Sequence, residues 1–171
     1  VEFALVVPIF ILLVLAIFAF GLVFQNKIAM DNAVRDGARF ASTQPDKWDN
    51  NQNALQNSIQ GHVQRSGGTA VILNQDPTLP TSNGQGISIT YSDPSGALCG
   101  SYSAGGFAPA PSSSYTEQTC LTPGNLVTVK AAIKYVVPVP IVSAIVSKFF
   151  SGGLPIGSST TMTLEQPCIA C

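Results

Sequence analysis

The residues with most chemistry to offer are four cysteines: Cys99, Cys120, and the pair Cys168 and Cys171 in "CIAC". A thiolate zinc site asks for two close pairs, whereas only Cys168 and Cys171 have C-x-x-C spacing. A redox C-x-x-C wants a helix N-terminus behind a strand to lower one thiol pKa, whereas this motif closes the sequence. Structural disulfides fit the cysteines better. Four cysteines allow three pairings. The reading favours Cys99 with Cys120 and Cys168 with Cys171. The first bond closes a loop of about twenty residues, which contributes roughly 3 kcal/mol in the chain-entropy model. Disulfides point in turn to an oxidising, extracytoplasmic compartment.

Other reactive groups are sparse. His62 is the single histidine, and with no cysteine or paired carboxylate nearby in sequence it reads as a surface or partly packed residue. No Gly-rich phosphate loop is present, no histidine completes a nucleophile pair, and the acidic residues are scattered. The expectation is therefore a protein without catalytic residues, metal or cofactor. Charged residues make up 10% of the 171 residues and the net charge is -1, so no basic stripe offers itself to nucleic acid. Such a weakly charged chain suits a protein that stays embedded or assembled.

One carboxylate stands out by position. Glu2 precedes a long apolar run, "VEFALVVPIFILLVLAIFAFGLVF", as its one charge. A carboxylate costs roughly 2.5 to 3.5 kcal/mol at the centre of a membrane helix and less near its end. Either Glu2 flanks an ordinary anchor at the membrane surface or the assembled state uses it. The run is long enough to span the roughly 30 Å hydrocarbon core. It lacks the basic start, short apolar stretch and small-residue cleavage site of a secretory signal, so it is expected to belong to the working protein. Pro8, with no N–H to give, should loosen the helix locally, and Gly21 adds a second flexible point.

The stretch after it, "QNKIAMDNAVRDGARFAS", carries no turn signal. Ala29, Ala33, Gly37 and Ala41 form one line at helical spacing, with Met30, Val34, Ala38 and Ser42 beside it. Lys27, Asp31, Arg35, Asp36 and Arg39 fall on the polar side. Asp31 with Arg35 and Asp36 with Arg39 read as intrahelical pairs worth a few tenths of a kcal/mol. One helix over residues 1–41 is expected, its first half for lipid or partner helices and its second half covering a domain.

These residues resemble the TadE-like proteins, pilins and pseudopilins of the tight adherence (Tad) branch of the type IV pilus superfamily. "VEFALVVPIF", the apolar run and "AVRDGARFA" carry the resemblance, which resumes in "VTVKAAIKYVVPVPIVSAI" and "SSTTMTLE". Residues 44–124 show none. The resemblance implies leader removal by a prepilin peptidase, storage of the helix in the inner membrane, and packing by the assembly machinery into a homo-oligomeric filament core. It implies an assembly role for Glu2, Phe3 and Pro8, with the Glu2 carboxylate meeting a neighbour's N-terminal amine, since a buried charge is costly unless paired. The family places this glutamate fifth after the cleavage point and here it stands second, which implies that a few residues precede Val1 or that processing differs. Lys27, Arg35 and Arg39 would favour a cytoplasmic C-terminal side by the positive-inside rule; a removed basic leader would reconcile them with an outward domain.

The remainder reads as a small α+β domain. Trp48, Leu55, Ile59 and Val63 predict a second helix over residues 47–65, with Asp46 as N-cap and a Gly pair as stop. β-rich segments at 69–74, 86–92, 125–137 and 158–165 predict a four-stranded antiparallel sheet on which the long helix packs. Residues 93–124, rich in Gly, Pro and Ser, predict a long excursion bracketed by Cys99 and Cys120. Its aromatics Tyr102, Phe107 and Tyr115 either form an adhesive surface or pack the loop onto its own domain. "PVPIVSAIVSKFF", at 138–150, is too short to span a bilayer and predicts a turn and short helix closing the core, or a contact between subunits. The organisation expected is a filament-core helix at 1–43 and an extracytoplasmic domain at 44–171. The function expected is a structural subunit of a surface pilus used for adherence. A minor pseudopilin, or an anchored binding module that never polymerises, are the alternatives.

Overall fold

The computed structural model describes residues 2–47, 58–66, 86–103, 106–111, 114–135, 148 and 154–167. Helix α1, Glu2–Thr43, passes through Pro8 and Gly21 as one element, two residues longer than the sequence pattern marks. Its second half is buried along the two lines read from the sequence. Met30, Ala33, Val34, Ala38 and Ala41 are fully enclosed, while Arg35 and Arg39 stay exposed. Small side chains dominate this face because two other layers approach it closely.

One of those layers is α2, Ile59–Ser66. The helix expected over 47–65 is shorter at its start. Lys47 lies outside it and accepts the Ile59 N–H at 3.0 Å through its carbonyl. Ser58 opens the helix instead, its Oγ accepting the Gly61 N–H at 3.1 Å, the bond a serine N-cap supplies. Trp48 and Leu55 lie outside the described residues. Ile59 and Val63, one turn apart, are both buried over Gly37 of α1.

The second layer is an antiparallel sheet. Its strands are β1 Gly86–Ser92, β2 Leu98–Ser103, β3 Gly106–Pro109, β4 Leu126–Tyr135 and β5 Leu154–Thr163, in the order β3-β2-β1-β4-β5. Period-two alternation makes β1 and β4 half-buried strands. Ile87, Ile89 and Tyr91 face inward from β1, and Val127, Val129, Ala131, Ile133 and Tyr135 from β4. The segment expected at 69–74 lies outside the described residues, as does 138–150 apart from Lys148. α1 packs on β4 and β5, as helix-on-sheet layering requires.

Residues 93–124 are not the open excursion expected from composition. They carry β2, β3 and a short helix, α3, Glu117–Cys120. Asp93 starts this structure by accepting the N–H groups of Ser95 and Ala97 at 2.9 Å each, and Gly96 takes the positive φ of 89° that the turn needs. "LCGSYS" and "GFAP" hide their strand character behind Gly, Ser and Pro, yet Tyr102 pairs with Ile89 on one side and Phe107 on the other. Thr116 and Thr119 form a reciprocal cap at the start of α3.

The two ends of the domain close on each other. Leu164 donates to the Asn125 carbonyl at 2.7 Å, and Glu165 to the Ser42 carbonyl at 2.9 Å. The end of β5 thereby satisfies a carbonyl at the C-terminus of α1 that the helix itself leaves open.

Candidate functional site

The feature that a small folded domain does not need is the bare half of α1. Phe3, Ile9, Phe10, Ile17, Phe18 and Phe20 are all more than 60% exposed, and Phe24 and Ile28 continue the surface toward the domain. Contiguous apolar surface on this scale marks a membrane or protein contact. The helix is long and apolar enough to cross a membrane. Of the residues singled out for assembly, Glu2 begins α1 in the backbone but its side chain lies outside the described set. Phe3 is 82% exposed, and Pro8 sits exposed within the helix.

Where this apolar surface ends, the first basic residue is used structurally. Lys27 Nζ donates to Asp31 Oδ1 at 2.6 Å and to the Gly157 carbonyl of β5 at 2.7 Å. The pairs expected from spacing, Asp31 with Arg35 and Asp36 with Arg39, are replaced. Asp31 turns to Lys27, and Asp36 turns to α2, where its Oδ2 lies 3.4 Å from His62 Nδ1 and accepts the Ser66 hydroxyl. Asp31 keeps an intrahelical partner, Lys27 one turn before it, whose ammonium also reaches β5, whereas Asp36 takes tertiary partners, since an exposed intrahelical pair contributes only a few tenths of a kcal/mol.

Sequence reasoning missed that His62, Asp36 and Ser66 meet. The order of the contacts decides what they can do. A nucleophile relay places the imidazole between hydroxyl and carboxylate, whereas here the carboxylate lies between the other two. The ring is stacked on Phe40 with centroids 4.0 Å apart. The arrangement ties α2 to α1, in keeping with the partly packed histidine expected. The signal that would have revealed it, His62 and Ser66 one turn apart opposite Asp36, exists only once α1 and α2 are paired.

Cys99 and Cys120 are bonded, with an S–S distance of 2.04 Å, and both are fully buried. Cys168 and Cys171 lie outside the described residues. Around the bond the aromatics of the supposed loop turn inward. Tyr102 meets Tyr91 edge-on at 5.8 Å and Phe107 at 5.5 Å, and its hydroxyl donates to Glu117 at the start of α3. Of the two readings of these aromatics, Tyr102 and Phe107 follow the packing one. Burial, then the neighbouring Glu117 carboxylate, push the Tyr102 phenol far above its ordinary range. Tyr91, the largest enclosed side chain among the described residues, is pushed up chiefly by burial. Among the described residues no group of acidic, cysteine and histidine side chains could hold a metal ion.

A long helix, bare and apolar over one half and docked by small residues to an antiparallel sheet over the other, defines a class: α+β proteins carried on an N-terminal membrane-type helix. Within that class, the family model described as TadE-like protein matches residues 1–39. The match spans the apolar run and most of the small-residue face, so the resemblance read from those residues holds there. With the apolar helix, it fits a protein related to the Tad pilus. No curated protein and no solved structure matches the chain.

Proposed function

We propose that this chain is a structural pilin subunit, held in the inner membrane by the first half of α1 and packed through the same surface into an extracellular filament. The observation that carries the reading is the split burial of α1. Residues such as Phe10, Ile17 and Phe20 are left bare, while Met30, Val34 and Ala38 are locked under the sheet and α2. Lipid tails and neighbouring apolar helices satisfy the bare half equally well. One surface can therefore serve storage and assembly in turn. In the filament Glu2 would pair with a neighbour's N-terminal amine, and the register that makes the pair avoids burying an uncompensated charge.

A minor subunit that starts or anchors a filament built mainly of another protein would use the same helix, as would an anchored binding module. Electron microscopy of sheared surface filaments, with mass spectrometry of their main component, separates the three. Glu2→Gln should leave the subunit in the membrane and lower filament yield. Unchanged yield would remove Glu2 from assembly, and filaments lacking this chain as the main component would refute the major-subunit reading.

A further inference from the structure

The bare and the covered parts of α1 overlap in height. Phe20 and Phe24 are 70% and 57% exposed, yet Ala19 beside them is 4% exposed and shares a buried cluster with Ile133, Tyr135 and Ile156, against which Val23 also packs. At this level one side of the helix is open for lipid while the domain occupies the other.

The alignment of β5 with α1 gives the depth. The two run in the same direction, since the Gly157 carbonyl accepts from Lys27 and the Glu165 N–H donates to Ser42. A strand advances about 3.3 Å per residue and a helix about 1.5 Å. Leu154, three residues before Gly157, therefore lies about six helix residues before Lys27, level with Gly21. Tyr135 is its partner on β4. With the apolar stretch from Phe3 to Phe24 spanning the roughly 30 Å hydrocarbon core, this end of the sheet falls about 4 to 5 Å inside the edge of that core.

The chemistry of the sheet end suits an apolar layer. Along the outward side of β5, Ser159, Thr161 and Thr163 carry hydroxyls, whereas Pro155 and Gly157 at the lower end carry none and are exposed. β5 is the edge strand of the described sheet, and open backbone groups on an edge are costly in hydrocarbon. A proline in such a strand turns its nitrogen to the free edge, so Pro155 leaves no N–H there. The Gly157 carbonyl, two residues on, is taken by Lys27 at 2.7 Å. Residues 136–153, which join the two strand ends in sequence, carry one charge, Lys148. Lys134 and Lys148 are the charges nearest this end in sequence, and a lysine stem can lie in an apolar layer while its ammonium reaches the headgroups.

We infer that the Tyr135–Leu154 end of the sheet is a second membrane contact, seated in the lipid layer beside residues 19–24 of α1, with Leu154 and Pro155 meeting acyl chains. The inference rests on the membrane reading of α1. Two contacts side by side fix the rotation of the domain about the helix axis, which a single helix leaves free.

The full chain in phosphatidylcholine nanodiscs can be followed by amide NMR with two paramagnetic reagents, a lipid carrying a nitroxide near the top of its acyl chain and a water-soluble gadolinium chelate. The amide peaks of Tyr135, Leu154 and Ile156 should be lost with the nitroxide lipid, as should that of Phe24, and should persist with the chelate. Leu126 and Thr163, at the opposite end of the same strands, should show the reverse. Loss of the Phe10 peak to the chelate overturns the membrane reading of α1 and this contact with it. A shielded Phe10 together with a Leu154 peak lost to the chelate overturns the sheet-end contact alone. Persistence of the Tyr135 and Leu154 peaks with both reagents means that protein, from this chain or a second copy, covers the end, and overturns the lipid assignment.

Discussion

Gly37 of α1 lies so close beneath Val63 of α2 that a β-carbon on it would stand 2.2 Å from Val63 Cγ2. The two helices can cross at this distance only because position 37 has no side chain. Gly37→Ala should therefore be destabilising even though alanine is the better helix former by about 1 kcal/mol. Overpacking costs typically 1–3 kcal/mol, and the branched Val63 has little room to turn away. Gly21 makes a control within the same helix, because a β-carbon there meets nothing within 4 Å. Chemical denaturation of the two variants should show Gly37→Ala less stable than wild type and Gly21→Ala unchanged or more stable. Equal effects would mean that the Gly37 contact yields freely.

Tyr91 anchors the residues after α1 to the sheet through its hydroxyl, which donates to the buried Pro45 carbonyl at 2.8 Å. Tyr91→Phe keeps the ring and strands the acceptor. Loss of about 1–3 kcal/mol is expected, the cost of an unsatisfied buried group. A midpoint within error of wild type would show that another donor reaches Pro45.

The Cys99–Cys120 bond fastens α3 to β2. Replacing both cysteines with serine should cost roughly 3 kcal/mol by the loop-entropy estimate, and two hydroxyls placed at fully buried positions add to it. Because residues 93–124 hold strands rather than an open loop, the expected proteolytic cuts cluster around α3 and spare β1 and β2. Membrane insertion through α1 should persist. Cleavage spread evenly across 93–124 would contradict the structured reading.

Alkaline conditions should weaken the domain before the helix. The Tyr102 and Tyr91 phenols are held protonated in the folded state by burial, with Glu117 reinforcing the effect at Tyr102. Above about pH 10, the ordinary phenol value, the unfolded chain releases these protons while the folded chain keeps them. Stability is therefore full below that pH and falls as pH rises beyond it. Glu117→Gln removes one of the charges opposing ionisation, so Tyr102 should release its proton at a lower pH in the folded variant, read by tyrosinate absorbance. An unshifted titration would separate Glu117 from Tyr102.

Much of this protein is written in local periodicity. The apolar run, the small-residue lines from Ala29 to Ser42, and the alternation of Ile87, Ile89 and Tyr91 each depend on residues a few positions apart, and each element stands where that pattern puts it. The Cys99–Cys120 pairing was legible too, from the spacing of the four cysteines. Tertiary structure alone decided the rest. β2 and β3 arise from a stretch whose composition reads as loop, because pairing with β1 supplies the partners that "LCGSYS" and "GFAP" lack on their own. Asp36 leaves its expected intrahelical partner for α2, and Asp31 pairs with Lys27, which the fold ties to β5, rather than with Arg35. Lys27 and Gly157, far apart in sequence, meet only when β5 settles on α1. Neighbours along the chain determine a residue's own conformation and face, whereas partners brought in from distant segments determine its contacts, and only folding supplies those.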